Sequence, residues 1–107
     1  MRVRDMQITG SCRDGLLTLR FRGELDHHAA GEAAAALTER MDAFLPRRCV
    51  LDLRELSFMD SSGIALIFRA DRIMKELDGS LEVSGVRGQP LRVLQAAGAD
   101  KRIRITG

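Results

Sequence analysis

The chain has 107 residues, which is enough for one domain that buries its own hydrophobic core. Basic and acidic residues number 17 and 15, and a net charge of +2 does not fit a general polyanion binder. With no Trp or Tyr and only four Phe, stacking on nucleic-acid bases is excluded as a binding mode and the core must be aliphatic. We therefore expect a single domain over residues 1–107 that makes no direct contact with nucleic acid.

The N-terminal residues and the cysteines predict a cytoplasmic protein. Arg2, Arg4 and Asp5 lie where a signal peptide would require an apolar run. No apolar run reaches the length needed to cross a membrane. Cys12 and Cys49 stand alone, without a Cys-x-x-Cys pair or the spacing of a metal site. We expect no cofactor, no bound metal and no membrane contact.

The first elements in the chain are predicted to be a hairpin and a helix. Residues 6–12 and 16–22 alternate between apolar and polar on either side of an Asp-Gly pair, which is a strong hairpin signal. The segment 23–26 ends the second strand, and Asp26 is a candidate cap for a helix over about residues 28–44. The predicted inner stripe of this helix is Ala29, Ala33, Ala36, Leu37, Arg40, Met41 and Phe44.

The rest of the chain alternates strands with helices. The predicted elements are a buried strand at 49–53, a helix at about 61–77, a strand at 81–84, a helix from Pro90 to Ala97 and a terminal strand containing Ile103 and Ile105. Such alternation implies crossover connections and parallel pairing, with the first hairpin adding an antiparallel edge. The predicted fold class is α/β, with a small mixed, mainly parallel sheet and an N-terminal hairpin.

The hydrophobic period changes abruptly at residues 58–64, where a strand-like run gives way to a helical one. With Asp60 as N-cap, Ser61, Ser62 and Gly63 are the first three helical residues, whose amides have no helical partners. On local features alone, a plain helix cap and a functional site are equally good interpretations. Glycine lowers helix propensity by about 1 kcal/mol relative to alanine, so Gly63 indicates a need for bare backbone, either for a partner's approach or for tight packing.

No catalytic constellation is evident in the sequence. Ser61 or Ser62 would need a base, and the only imidazoles are those of His27 and His28. The residues before the serines lack the glycine that tightens a nucleophile elbow. Two adjacent histidines on a helix point about 100° apart and cannot easily share a metal. A small serine hydrolase therefore remains only a remote alternative.

Two motifs, in this order, closely resemble a known family. They are Gly23-Glu24-Leu25-Asp26-His27-His28 and, after a helix, Ser57-Phe58-Met59-Asp60-Ser61-Ser62-Gly63. Both are similar to motifs of the bacterial anti-sigma factor antagonists, or anti-anti-sigma factors, of the sporulation type, which are single STAS domains. The similarity extends over nearly the whole chain, since the element order and the Pro90 helix also fit.

The resemblance implies a sheet with helices packed largely on one side, and a switch instead of an enzyme. In that family the unphosphorylated protein binds an anti-sigma factor that is also a serine kinase, and so releases a sigma factor. Phosphorylation switches the protein off, and a PP2C-type phosphatase restores it. The matching phosphorylated residue is Ser62. The residues implied at the partner surface are Gly23, Glu24, Leu25, Asp26, Asp60, Ser61, Ser62 and Gly63. The alternative within this family is a STAS scaffold subunit of a stress-signalling assembly.

Overall fold

The computed structural model describes the backbone of residues 2–3 and 6–107 and the side chains of residues 6–107. The strands are β1 (Arg2–Val3), β2 (Met6–Arg13), β3 (Leu16–Leu25), β4 (Arg48–Met59), β5 (Ser80–Ser84) and β6 (Arg104–Thr106). The helices are α1 (His27–Phe44), α2 (Ser61–Glu76) and α3 (Gly88–Ala96), and a 3-10 turn follows at Ala99–Lys101.

The strands form one sheet in which their spatial order equals their order along the chain. The first three strands pair antiparallel, and β3, β4, β5 and β6 pair parallel. Each parallel connection carries a helix, as crossover connections require. The predicted mixed, mainly parallel sheet with an N-terminal hairpin is confirmed.

The hairpin between β2 and β3 closes through a two-residue turn. Asp14 and Gly15 both have positive φ, at 52° and 79°, which is the backbone that the tightest hairpin turns require. An aspartate and a glycine tolerate this left-handed conformation better than most residues. The Asp-Gly signal therefore identified the hairpin correctly.

The two faces of the sheet differ in character. Alternate residues of β3, Leu17, Leu19 and Phe21, are buried in the apolar core together with one side of α1 and α2. On the opposite face, neighbouring strands are joined by exposed or partly exposed ion pairs, which contribute little individually. These pairs are Arg20–Asp52 at 3.5 Å, Arg22–Glu55 at 3.8 Å and Arg104–Glu82 at 3.6 Å.

One end of α1 departs from the predicted inner stripe. Ala29, Ala33, Leu37 and Met41 are buried, but Phe44 is 51% exposed. The prediction was wrong for Phe44 because α1 ends there, with the chain reversing through a left-handed Leu45 at φ 46°. Pro46, which follows, is buried.

The two central strands are longer than their apolar runs suggested. β4 extends to Met59, well past the predicted limit at residue 53, because its outer half continues to pair with β3. β3 itself runs to Leu25, and two register shifts, one of them at Gly23, bend it without ending it. The segment 23–26 is therefore the end of a strand and a helix cap, and not only a turn.

Candidate functional site

The two long parallel strands end beside each other. Leu25, the last residue of β3, pairs with Met59, the last residue of β4. Each strand is followed by an aspartate in extended conformation that caps a helix, Asp26 for α1 and Asp60 for α2. The N-termini of both helices therefore lie together at the carboxyl edge of the sheet, where α/β proteins commonly place their sites.

Asp60 joins these two helix N-termini. Its Oδ1 accepts a hydrogen bond from the backbone N–H of Ser62 at 2.9 Å, as predicted for an N-cap. Its Oδ2 accepts a second bond from the backbone N–H of His27, the first residue of α1, at 3.0 Å. Asp26 caps its own helix through a bond from Ala29 N–H at 3.0 Å. The carboxylate of Asp60 thus accepts a bond from one otherwise unpaired amide at the start of α2 and from another at the start of α1.

The two serines of the motif differ in their surroundings. Ser61 is exposed, whereas Ser62 is half-buried and its Oγ lies 3.3 Å from Nδ1 of His27. His27 itself is exposed at the surface. The hydroxyl of Ser62 therefore lies at the junction of α1 and α2, held in place but accessible from solvent. The structure brings Asp60, Ser62 and His27 together, a contact that the sequence analysis did not predict.

Gly63 serves the packing of α2 onto the sheet. It is buried, and a methyl group at its Cα would lie 2.6 Å from Cγ of Met59 and 3.1 Å from Cδ2 of Leu25. Such distances are too short for any side chain without displacement of its neighbours. Of the two interpretations of this glycine, tight packing is the one that the described contacts support.

The segment 23–26 presents little side-chain surface. Leu25 is completely buried in the core, so its predicted place in a partner surface cannot involve its side chain. The carbonyl oxygen of Gly23 accepts a bond from Ser57 Oγ at 3.0 Å. Of the four residues, Glu24 is the one that is exposed. Leu25 is buried because its pairing with Met59 turns it towards α2.

Gln89 is a residue of the site that the sequence did not reveal. Its side-chain amide accepts a bond from Met59 N–H at 2.9 Å and donates one to Met59 C=O at 2.7 Å. β5 pairs with β4 only as far as Asp52, so the edge of β4 near Met59 has no strand beside it. The side chain of Gln89 takes the place of a neighbouring strand at Met59, which is the residue immediately before the Asp60 cap. No local pattern could have indicated this, because the free edge follows only from the strand pairing.

A groove between α1 and α2 opens beside Ser62. It has a volume of about 890 Å³, and its lining includes His27, His28 and Ser62. Small and apolar side chains of both helices form much of its lining, and Arg69 and Arg72 extend along α2. The groove is therefore a surface that another protein could reach at the same time as the Ser62 hydroxyl.

The described residues offer little sign of a metal site, a reactive buried thiol or a membrane span. Within residues 6–107 there is no cluster of three or more His, Cys, Asp or Glu that could hold a metal ion. Burial, and secondarily the nearby Cys12, raises the pKa of Cys49 to about 12, so this thiol stays protonated at neutral pH. None of the described helices combines the length and apolar character that a membrane span requires.

Two curated relatives carry the same kind of name. The anti-sigma F factor antagonist of Paenibacillus polymyxa is 31% identical over 97 residues, which is 91% of this chain and 83% of that protein. The anti-sigma F factor antagonist of Lysinibacillus sphaericus is 33% identical over 63 residues, or 59% of this chain and 54% of that protein.

Solved structures share the fold at lower identity. An anti-sigma factor antagonist from Mycobacterium paratuberculosis superimposes with a TM-score of 0.86 at 20% identity, covering 99% of this chain and 90% of that one. The antagonist SpoIIAA in its unphosphorylated form gives 0.74 at 22% identity, covering 95% and 87%. SpoIIAA of Bacillus in its phosphorylated form gives 0.72 at 24% identity, covering 95% and 91%.

The match to the family as a whole is nearly complete. The STAS domain family matches residues 5–106, a range that contains both motifs and all the elements from β2 to β6. The described geometry agrees with this match, since both motifs meet at one edge of the sheet. The chain therefore belongs to the STAS-domain family and, within it, to the anti-sigma factor antagonists.

Proposed function

We propose that the unphosphorylated chain binds an anti-sigma factor that is also a serine kinase, and that phosphorylation of Ser62 ends this binding. The observation that carries the proposal is the position of Ser62, which is half-buried in the first turn of α2 and lines the groove. The kinase supplies ATP and magnesium, so this chain needs only to present the hydroxyl. A PP2C-type phosphatase reverses the reaction, and all these partners act in the cytoplasm.

A phosphate at Ser62 is compatible with the fold. It would add about −1.5 to −2 charges beside the first-turn amides of α2. Negative charge at a helix N-terminus is favourable by about 0.3–1 kcal/mol. Ser62 is not part of the buried core, so the added group needs no space inside it. SpoIIAA, which shares this fold, exists in both a phosphorylated and an unphosphorylated form.

The same phosphate would oppose association with a partner. An uncompensated neutral polar group buried in an interface costs about 1–3 kcal/mol, and a charge costs more. The carboxylate of Asp60 would also repel this phosphate, because both groups lie at the N-terminus of α2. Since about 1.4 kcal/mol corresponds to a tenfold change, the affinity should fall by about tens- to thousands-fold without any change of fold.

The partner surface that we propose is smaller than the two motifs. Ser61, Ser62 and Glu24 have side chains that a partner can reach. Asp60 and Asp26 cap the two helices that carry this surface. The structure beneath it includes Gly23, Leu25 and Gly63. We expect the groove between α1 and α2 to be covered by the same partner.

The geometry argues against a serine hydrolase at this site. His27 lies close enough to Ser62 to take its proton, but a catalytic imidazole also needs an acid that orients its ring. Among the described contacts, no carboxylate bonds the His27 ring, and the two oxygens of Asp60 accept backbone N–H groups, those of Ser62 and His27. We therefore propose a switch and not a catalyst.

The experiment is phosphosite mapping with the anti-sigma factor of the chain's own host. The chain is incubated with that protein and ATP, and mass spectrometry locates the modified residue. We expect phosphate on Ser62, none in Ser62→Ala, and normal modification in the matched control Ser61→Ala. Modification of another residue, or none at all, would contradict the proposal. Hydrolysis of a generic ester that Ser62→Ala abolishes would favour the hydrolase, and assembly into a stable multi-subunit particle would favour the scaffold.

A further inference from the structure

His27 is the one residue beside Ser62 that the proposed switch leaves without a role. Its Nδ1 lies 3.3 Å from Ser62 Oγ, across the junction of two helices and 35 positions along the chain. Phosphorylation replaces the hydroxyl hydrogen with a group that carries three strong acceptor oxygens. A protonated imidazole is a donor at both nitrogens. A ring that already contacts Oγ is therefore within reach of the phosphate oxygens without movement of the backbone.

We propose that His27 binds the phosphate on Ser62 within the same chain. This inference rests on the proposed function, because it concerns the phosphorylated form of that same residue. It gives the first of the two motifs, which carries the histidines, a direct role in the modified state. The phosphate is held beside the groove between α1 and α2, which His27 and Ser62 both line, and its negative charge lies where a partner would have to dock.

The backbone of His27 is held beside the cap of α2. The N–H of His27 donates to Asp60 Oδ2 at 3.0 Å, which anchors the first residue of α1 to the cap of α2. The ring also packs edge-on against that of His28, with centroids 6.3 Å apart. His27 is exposed at the surface.

Several charged groups near the ring determine how strongly the site attracts the phosphate. The described hydrogen bonds of the Asp60 and Asp26 carboxylates are with backbone N–H groups, and none of them is with the His27 ring. Glu32 and Arg69 line the same groove, and His28 is the adjacent residue on α1. Asp60 repels a phosphate, whereas a protonated His27 and the first-turn amides attract it. The contact with His27 therefore favours the doubly charged phosphate.

The test measures the second ionisation of the phosphate itself. Phosphoserine is incorporated at position 62 during translation by genetic code expansion, and its ³¹P chemical shift is followed against pH at low salt. A free phosphoserine titrates near pH ~6. We expect His27→Gln to move the titration midpoint upwards by about 0.5 pH units, which is about a threefold change in proton affinity and is typical of an exposed ion pair.

His28→Gln is the matched control. It removes an adjacent imidazole of the same type, and we expect it to leave the midpoint unchanged, because the described contact with Ser62 Oγ comes from His27. Both variants keep every backbone N–H, including the bond from residue 27 to Asp60, so the fold should be retained. Equal midpoints in the wild type and His27→Gln would overturn the inference. An equal shift in both variants would also overturn it, since that would be a general loss of charge.

The test of this inference and the test of the proposed function can fail separately. Because the phosphoserine is introduced without a kinase, failure of an anti-sigma factor to modify Ser62 would contradict the proposed function and leave the titration result intact. Conversely, a phosphate that ignores His27 would overturn this inference while the switch itself could still operate.

Discussion

Oδ2 of Asp60 accepts a hydrogen bond from the backbone N–H of His27 at 3.0 Å, although the two residues are 33 positions apart. The same carboxylate caps α2 through Ser62 N–H. A single side chain therefore fixes the relative position of the two helices that flank the site. This dual contact distinguishes Asp60 from Asp26, whose described side-chain contact is with its own helix.

The double contact predicts that Asp60 contributes more to stability than Asp26. Loss of an N-cap typically lowers the free energy of unfolding by about 0.5–2 kcal/mol. We expect Asp26→Ala to fall in this range and Asp60→Ala to exceed it by about 1 kcal/mol, because a second amide loses its partner. Urea unfolding at neutral pH gives both values. Equal losses in the two variants would show that the bond to His27 contributes nothing.

Gly63 should tolerate no side chain. Gly63→Ala places a methyl group 2.6 Å from Met59 Cγ, and overpacking of this kind costs about 1–3 kcal/mol. Gly31 is the matched control, since a methyl group there meets no atom within 4 Å and lies on α1. Gly31→Ala should increase the free energy of unfolding by about 0.5–1 kcal/mol through helix propensity. A Gly63→Ala protein as stable as the wild type would contradict the packing role.

Gln89 should stabilise the segment that leads into the site. Gln89→Ala removes two hydrogen bonds to Met59 and leaves a backbone edge without its amide partner. We expect a loss of about 1–3 kcal/mol in the free energy of unfolding and faster amide exchange at Met59. Gln95→Ala on the exposed side of α3 is the control, with an expected change within about 0.5 kcal/mol. Unchanged exchange at Met59 would exclude this role for Gln89.

The two cysteines should differ in reactivity. Burial raises the pKa of Cys49 to about 12, so its neutral thiol is the form that the fold favours. This contribution to stability is complete below the unfolded-state pKa near 9.0 and is lost progressively as the pH rises towards 12. At neutral pH, Ellman's reagent should react with the half-buried Cys12 well before Cys49, which reacts fully only after unfolding. Equal rates in the folded protein would contradict the burial of Cys49.

Local patterns were sufficient for the features that depend on neighbouring residues. The Asp-Gly turn at Asp14 and the caps at Asp26 and Asp60 follow from short-range backbone chemistry, and all three are confirmed. The starts of helices are especially easy to predict from sequence, because their unpaired amides require a hydrogen-bond acceptor that is close by in the chain.

Features that depend on strand pairing could not be read in this way. The burial of Leu25 and Gly63 results from the pairing of Leu25 with Met59, two residues that are far apart in the chain. The contacts of Gln89 with Met59 and of His27 with Ser62 likewise join distant segments. Tertiary packing decides such contacts, and no single-segment periodicity encodes them.

The central claim is that charge on Ser62 prevents partner binding while the fold stays intact. The most direct measurement is a titration of the host anti-sigma factor with the wild type, Ser62→Ala, Ser62→Asp and the protein carrying phosphoserine at position 62. We predict similar affinities for the wild type and Ser62→Ala, and affinities lower by about tenfold or more for the two charged forms, with unchanged circular dichroism. Equal binding by the wild type and the phosphorylated protein would contradict the account.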